Sequence, residues 1–236
     1  IADMGAYYYD QSMPPNDDNY SLSFDGEDDR VEVPYQITDG LNSMTFMAWF
    51  YADDNQIGVS NIVQQDNPSS DFYIRYYNGD NNFHYQWKAG SNTNPVDIES
   101  PILNQWHYVA MSWDGDLVRC YLDGNEVGTK TTNNGTYSGQ NPIYFGNWGQ
   151  SEGFSGNIEN VSIWETALTQ SEIQSYMTTS PTGNESGLVG YWNFNEGSGS
   201  TLTDQTSNGN NGTIYGASWS TDVPPLPSLT SITIDG

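Results

Sequence analysis

Short apolar runs that alternate with a period of two, separated by turn-forming residues, leave few folds open to this chain. The clearest run, Ser43 to Tyr51 (SMTFMAWFY), carries large side chains on both alternating faces. A strand with this pattern is buried on both sides, which places it in the middle of a sandwich. Shorter runs bounded by Gly, Asn, Asp or Pro follow at residues 71–77, 82–88, 106–113, 117–122, 142–145, 158–164 and 188–194. Such regularly spaced strands predict an all-β sandwich or barrel.

One turn between two of these runs has a specific signature. Asp123-Gly124 directly follows the run Leu117 to Leu122. A type I′ turn needs positive φ at both central residues, and Asp and Gly tolerate that conformation. The run Leu117 to Leu122 is therefore predicted to pair antiparallel with the run that begins at Asn125.

A single short helix is predicted near residue 170. The segment Thr169 to Glu172 (TQSE) is a capping box, and Leu168 and Ile173 are placed to form its hydrophobic staple. Ile173, Tyr176 and Met177 share one face of a helix of about two turns. A helix this short is an appendage packed on the sandwich and not a layer of its own.

The charge and cysteine content narrow the possible partners. The chain has 30 acidic and 5 basic residues, a formal charge of -25, which repels nucleic acid and anionic lipid surfaces. Solubility in a salty medium explains most of these acids, and bound divalent cations are the alternative. The single cysteine, Cys120, excludes an internal disulfide, and no apolar run is long enough to span a membrane.

Several segments, taken in order, resemble one known family over residues 20 to 222. They are Ser21–Val33 (SLSFDGEDDRVEV), Met44–Phe50 (MTFMAWF), Trp106–Asp114 (WHYVAMSWD), Cys120–Gly128 (CYLDGNEVG), Tyr144–Trp164 (YFGNWGQSEGFSGNIENVSIW), Ala167–Ile173 (ALTQSEI) and Gly187–Trp219. Their joint order resembles the laminin-G-like jelly-roll domains of the concanavalin A-like lectin/glucanase superfamily, bacterial type. The resemblance implies an all-β, two-sheet antiparallel jelly-roll sandwich with one short helix. It also implies structural calcium and a glycan-binding or protein-binding accessory role.

The expected domain organisation follows from the same comparison. Residues 1–222 are predicted to form the sandwich, and residues 223–236 a Pro-rich linker with the start of a following module. We therefore expect a non-catalytic, extracellular or cell-surface binding module within a larger secreted protein. An adhesion or spacer domain that contacts protein is the alternative, and a polysaccharide hydrolase or lyase is a further one.

The candidate calcium site joins two loops from opposite ends of the sequence. Calcium takes six to eight oxygen ligands, which Asp, Asn and the carbonyls of Gly-rich loops provide. The predicted ligands are Asp25, Gly26, Asp204, Ser207, Asn208 and Asn210. The alternative is that these Asp/Asn/Gly segments are ordinary turns.

The candidate ligand-binding surface lies on two neighbouring strands. If Phe72, Ile74 and Tyr76 face the core, as do the alternate aromatic residues of the next strand, the intervening residues form one exposed face. That face would stack sugar rings and hold the carboxylate or sulfate of an acidic polysaccharide. The predicted ligand-binding residues are Tyr73, Arg75, Tyr77, His84, Gln86 and Lys88, together with Trp148 in a Gly-rich loop. The alternative is that Arg75 and Lys88 only neutralise nearby Asp.

No catalytic motif is found in the sequence. Retaining glycosidases need two carboxylates about 5 Å apart, and no predicted strand carries them with suitable spacing. Glu159 and Glu165 lie in or beside a strand and are expected to form salt bridges or face solvent. The histidines, His84 and His107, belong to no nucleophile or metal motif. The chain is therefore predicted not to be an enzyme.

Overall fold

The computed structural model describes residues 20–56, 58–65, 70–79, 82–89, 96–132, 135–147 and 153–225. Within these ranges the chain forms two antiparallel eight-stranded sheets, one α-helix and a short 3-10 helix, Tyr35–Ile37. The predicted all-β sandwich with one short helix is confirmed. Residues 1–19 and 226–236 lie outside the described residues, so the domain boundary at 222 and the following module stay predictions.

Sheet A contains the strands nearest both ends of the described chain. Its strands are β1 (Ser21–Asp25), β3 (Met44–Ala52), β8 (Trp106–Trp113), β9 (Leu117–Leu122), β10 (Asn125–Thr131), β12 (Ser155–Trp164), β13 (Leu188–Trp192) and β16 (Ser218–Ser220). Their order is β10-β9-β8-β3-β12-β1-β16, with β13 beside β12. Ser21 of β1 lies opposite Ser220 of β16, which closes the sandwich by joining its early and late segments.

Sheet B faces sheet A across the core. Its strands are β2 (Arg30–Val33), β4 (Val59–Gln65), β5 (Ser70–Tyr77), β6 (Asn82–Ala89), β7 (Val96–Glu99), β11 (Ile143–Gly146), β14 (Thr201–Leu202) and β15 (Gly212–Tyr215). Their order is β14-β15-β2-β11-β4-β5-β6-β7. The central strands β4, β5 and β6 are neighbours in sequence and in space, so their side chains form one continuous surface.

Strand β3 is buried on both faces, as its sequence predicts. Phe46 and Phe50 lie in the large aromatic core between the sheets. Met47 and Trp49 point the other way, into a second apolar cluster on the outer side of sheet A. Because β3 lies between β8 and β12, its backbone hydrogen bonds are satisfied on both edges.

The helix α1 (Gln170–Thr178) covers that second cluster with Ile173 and Met177. Its capping box is present: the Thr169 side chain accepts from the Glu172 N–H, and Glu172 accepts from the Thr169 N–H. The predicted helix start and buried face are confirmed. Capping removes orphan N–H groups, while most of the stabilisation comes from the buried face.

The predicted hairpin between β9 and β10 is confirmed. Asp123 and Gly124 have φ of 49° and 72°, as a type I′ turn requires. The Asp123 carboxylate accepts a hydrogen bond from the Tyr108 N–H at 2.9 Å and contacts His107 Nδ1 at 2.8 Å. Through these contacts, Asp123 and His107 fix the position of the hairpin against β8.

Candidate functional site

The side of sheet B that points away from sheet A carries polar residues across its central strands, and we name it the polar face. The inward residues of β5 and β6 are Phe72, Ile74, Tyr76, Phe83, Tyr85 and Trp87, each at most 5% exposed. Since side chains alternate along a strand, the intervening residues project outward. The polar face comprises Asn61, Gln64, Tyr73, Arg75, Tyr77, His84, Gln86, Lys88 and Tyr144. The predicted alternation is confirmed.

Strand register aligns these side chains in two rows that cross the sheet. In the first row, Arg75 of β5 lies between Asn61 of β4 and His84 of β6. The second row runs across β11, β4, β5 and β6 and consists of Tyr144, Gln64, Tyr73 and Gln86. Directly opposed side chains on one face lie within contact distance of each other. The rows therefore form a continuous band of aromatic, amide and cationic groups.

Arg75 is the central cation of this band. Its guanidinium carbon lies 4.0 Å above the centre of the Tyr73 ring, a cation–π contact that fixes its orientation. The other two arginines, Arg30 and Arg119, are paired with carboxylates at 2.8 and 2.7 Å. Arg75 makes no ion pair with any residue in the described ranges, and its buried Nε has no hydrogen-bond partner. This does not fit the alternative in which Arg75 only neutralises a nearby Asp.

Electrostatics keep Tyr73 in its neutral form. Burial raises the pKa of the Tyr73 hydroxyl, and the positive charge of Arg75 opposes that rise. A neutral phenol donates one hydrogen bond and accepts others. Tyr73 therefore holds the guanidinium over its ring and offers a neutral hydroxyl group next to it.

Several buried amide atoms on the polar face have no hydrogen-bond partner in the described part of the chain. They are Oδ1 and Nδ2 of Asn61, Oε1 of Gln64 and Oε1 of Gln86. An unsatisfied buried polar atom costs about 1–3 kcal/mol, and such atoms are normally completed by ordered water or a ligand. They lie on the same face as Arg75, so this part of the polar face has hydrogen-bonding capacity that the described residues do not use.

The structure corrects the predicted exposure of His84. This side chain is 6% exposed, because the Tyr77 ring packs edge-on at 5.5 Å and the Asp97 carboxylate lies 3.8 Å from Nε2. Tyr77 itself is 37% exposed. His84 is therefore covered by its neighbours on the polar face, while Tyr77 is accessible to solvent at the margin of that face.

The remaining predicted ligand-binding residues differ in their surroundings. Gln86 and Lys88 are half-buried, and Gln86 Nε2 donates a hydrogen bond to the Asp71 carboxylate at 3.3 Å. Trp148 lies outside the described residues. The structure thus brings together on one face the six predicted residues of β5 and β6, and leaves Trp148 as a prediction.

Sequence reasoning missed the contribution of β4 and β11. A register shift between Asn61 and Val63 in the pairing of β4 with β5 interrupts the simple alternation of the segment VSNIVQQ. Asn61 and Gln64 therefore reach the polar face although they are three positions apart. Two amides inside an apolar run are the signal that could have indicated them.

The loop around Asp204 uses its polar groups internally. Oδ1 of Asp204 accepts from the N–H groups of Tyr191 and Thr206, and Oδ2 accepts from the Thr206 hydroxyl and the Asn210 N–H. Asn208 and Asn210 each donate a side-chain hydrogen bond to the Val189 carbonyl. Ser207 is exposed at the tip of the loop. The four hydrogen bonds to Asp204 match the turn alternative and leave this carboxylate little capacity for a metal.

Asp25 belongs to a different cluster, which also contains Asp28 and Asp29 and has carboxylate oxygens within 4.8 Å of one another. Burial raises the pKa of Asp29; a hydrogen bond from the Asp25 N–H opposes the rise, and neighbouring carboxylates add to it. Gly26, with φ of 85°, forms the turn between them, a conformation that favours glycine.

The structure does not bring Asp25 and Asp204 together. Asp25 lies opposite Ser155 at the start of β12, whereas Asp204 bridges to Trp192, which lies opposite Val161 of the same strand. Six residues along a strand span roughly 20 Å. The shared site predicted for Asp25 and Asp204 is therefore corrected, and calcium binding itself stays a prediction.

Two facing antiparallel sheets with this strand order define a lectin-like β-sandwich. A laminin-G family model, described as concanavalin A-like lectin/glucanases superfamily, matches residues 25–174. This match extends over more than half of the chain. The chain belongs to the concanavalin A-like lectin/glucanases superfamily, which confirms the resemblance found in the sequence.

Among curated proteins, the chain is similar to pappalysin-1. It is 34% identical to the Mus musculus protein over 80 residues, which cover 32% of this chain and 5% of that protein. It is 22% identical to the Homo sapiens protein over 194 residues, which cover 70% of this chain and 11% of that protein. The chain thus corresponds to a small part of these relatives.

Solved structures show the same fold in other settings. A Bacteroides ovatus protein assigned a carbohydrate-binding role matches with TM-score 0.67 and 18% identity, over 88% of this chain and 61% of that one. The heptameric SAP-like pentraxin of Limulus polyphemus matches with TM-score 0.56 and 17% identity, over 86% and 98%. Domain 4 of a Geobacillus stearothermophilus arabinanase, solved with arabinotriose, matches with TM-score 0.53 and 19% identity, over 69% and 79%. At these identities the likeness establishes the fold.

In the described ranges, no helix combines the length and the apolar character needed to cross a membrane.

Proposed function

We propose that this domain binds an acidic glycan on the polar face of sheet B. The observation that carries the proposal is Arg75, which is oriented by the Tyr73 ring and makes no ion pair in the described ranges. In a chain with a formal charge of -25, nearby carboxylates are abundant, so an arginine without one is available to an incoming anion.

The groups around Arg75 suit a saccharide. Tyr77, which is 37% exposed, offers a ring for stacking, and Tyr73 offers a neutral hydroxyl group next to the guanidinium. The amides of Asn61, Gln64 and Gln86 carry atoms without partners in the described chain. A uronate or sulfate would bind the guanidinium, while sugar hydroxyl groups would form hydrogen bonds with the unpartnered amide atoms. Structural neighbours that bind sugars or carry a carbohydrate-binding role support the same class of ligand.

Replacing Arg75 by glutamine tests this proposal. Hydrogen bonds to a charged partner contribute about 1.5–3 kcal/mol, so R75Q is expected to weaken binding of an acidic oligosaccharide at least about tenfold. Titration calorimetry against oligouronates and sulfated oligosaccharides measures the change. Because a charge pair carries the affinity, wild-type binding is expected to weaken as salt is raised.

The matched control is R119Q, on sheet A, whose native arginine is paired with Asp114. R119Q is expected to bind as the wild type does. Equal loss in both variants would point to a general charge effect and contradict the proposal. If no acidic or neutral glycan in an array binds, the adhesion or spacer role becomes the better account.

We also propose that the domain is non-catalytic and works in an extracellular or cell-surface protein of greater length. Its small coverage of pappalysin-1 supports a module within a larger chain. Product analysis after prolonged incubation with any glycan that binds is expected to show no cleavage, and new reducing or unsaturated ends would contradict the non-catalytic assignment.

We propose that Asp25, Asp28 and Asp29 hold a structural calcium ion. Oxygens within 4.8 Å of one another are compatible with calcium–oxygen distances of about 2.3–2.6 Å. The raised pKa of Asp29 shows that its negative charge is unfavourable in this cluster, and a cation would relieve that cost.

Calcium at about one hundred times its dissociation constant is expected to stabilise the domain by about 2.7 kcal/mol, or roughly 5–10 °C in melting temperature. Differential scanning fluorimetry with calcium, magnesium and chelator measures this shift. Asp28 is exposed, so D28N should remove the shift without damaging the fold, whereas D54N at another exposed loop should keep it. A shift that survives in D28N would place the ion elsewhere.

A further inference from the structure

A β-bulge in β12 lies at the edge of a pocket on the outer side of sheet A, remote from the polar face. Glu159 lies opposite Trp49 and Ser162 opposite Met47, so β12 has one residue more than β3 across this interval. Asn160 absorbs the extra residue with φ of 55°. Bulges re-aim side chains and are frequent beside functional sites. Here Glu159 and the adjacent Asn160 both line the same pocket.

The pocket has a volume of about 300 Å³ and a predominantly polar lining. Side chains that define its chemistry are those of Glu159, Asn160, Ser180, Tyr191, Asn193 and Gln205. Asn160 Nδ2 donates to the Ser180 hydroxyl at 2.6 Å, and Ser180 is in turn hydrogen-bonded to the Tyr191 hydroxyl. Part of the pocket lining is therefore a hydrogen-bonded network of amide and hydroxyl groups.

Glu159 is a buried acid without a partner in the described chain. It is 3% exposed and makes no side-chain hydrogen bond or ion pair with any residue of the described ranges. The sequence-based expectation of a salt bridge or solvent exposure for Glu159 is therefore wrong. Burial raises the pKa of Glu159 to about 8. None of the residues that line the pocket is basic.

These features select one kind of ligand. A buried carboxylate is strongly stabilised by a cation that donates hydrogen bonds, and an ammonium group supplies a full charge and three donors. Tyr191, Asn160 and Gln205 add neutral hydrogen-bonding groups that suit hydroxyls on the same molecule. The formal charge of -25 raises the local concentration of cations.

We propose that the Glu159 pocket is a second ligand site, which binds the primary ammonium group of a small hydroxylated molecule such as an amino sugar. Glu159 contacts the ammonium group, while the Asn160–Ser180–Tyr191 network orients the hydroxyls. On binding, the ligand keeps its proton and the Glu159 carboxyl group releases one to solvent, which balances charge. The site does not depend on glycan binding at the polar face.

Calorimetry with glucosamine at pH 6.5, where both the amine and Glu159 are largely protonated, tests the proposal, with N-acetylglucosamine as the uncharged control. Glucosamine is expected to bind with release of close to one proton per ligand, measured by comparing buffers of different ionisation enthalpy. Its affinity should rise nearly tenfold per pH unit between pH 5 and 6.5 because binding and deprotonation are linked. N-acetylglucosamine should bind at least tenfold more weakly.

The variant E159Q should lose glucosamine binding and proton release, and E165Q, at an exposed glutamate directly after the end of β12, should retain both. A thermal melt of each variant establishes that it is folded. Glucosamine binding that survives in E159Q, equal binding of the two sugars, absence of proton release or absence of binding would each overturn the proposal. Retained binding of acidic glycans by E159Q would show that the two sites are separate.

Discussion

Replacing Asp204 by alanine is expected to destabilise the domain more than replacing any exposed acidic residue. The buried Asp204 carboxylate accepts four hydrogen bonds, from Tyr191, Asn210 and twice from Thr206. Removing it leaves those donors without an acceptor in a buried loop. Breaking such a buried network costs about 3–5 kcal/mol.

Chemical denaturation of D204A against the wild type measures this loss as a lower midpoint with an unchanged slope. D39A is the matched control, because Asp39 is exposed, and its effect should stay within about 0.5 kcal/mol. Calcium is not expected to restore D204A, because the variant lacks the acceptor of three backbone N–H groups and one hydroxyl group. A loss below about 1 kcal/mol would contradict the structural role assigned to Asp204.

The second large effect is the response of stability to pH when Glu159 becomes glutamine. Burial raises the pKa of Glu159 from its ordinary value of 4.5 to about 8 in the folded domain. Between these values the unfolded chain has lost a proton that the folded chain retains. The contribution of Glu159 to the free energy of unfolding therefore falls as pH rises. E159Q has no ionisable group at this position and lacks that pH dependence.

Between pH 4 and pH 8.5, the free energy of unfolding of the wild type is expected to fall by about 3–5 kcal/mol relative to that of E159Q. Urea unfolding at several pH values measures this difference. E165Q, at an exposed glutamate, should follow the wild-type pH curve closely. Parallel curves for E159Q and the wild type would mean that Glu159 is not buried as a protonated acid.

Local sequence patterns predicted much of the fold because the interactions that specify it are local. The alternation in Ser43–Tyr51 identified a strand buried on both faces, and its two faces do enter two separate apolar clusters. The Asp123-Gly124 turn and the Thr169 capping box each depend on backbone preferences of a few consecutive residues. The turn and the capping box were therefore both predicted together with the residues that form them.

The candidate sites were only partly predictable because they join residues that are distant in sequence. Alternation in β5 and β6 identified one half of the polar face, but the contribution of Asn61 depends on the register between β4 and β5. No local pattern encodes register between strands, since it is set by the packing of whole sheets. The separation of Asp25 from Asp204 is likewise a consequence of where β1 and β13 pair along β12.

The sequence by itself determined the all-β class, the positions of most strands, the single helix and the inward and outward faces of β5 and β6. Alternation and turn preferences depend on a few consecutive residues, so they can be predicted from the sequence alone. Only the tertiary structure decided that Arg75 has no carboxylate partner in the described ranges, that Asp204 is committed to its own loop and that Glu159 is buried. Solvation and charge depend on what packs around a group, and those neighbours come from distant parts of the chain.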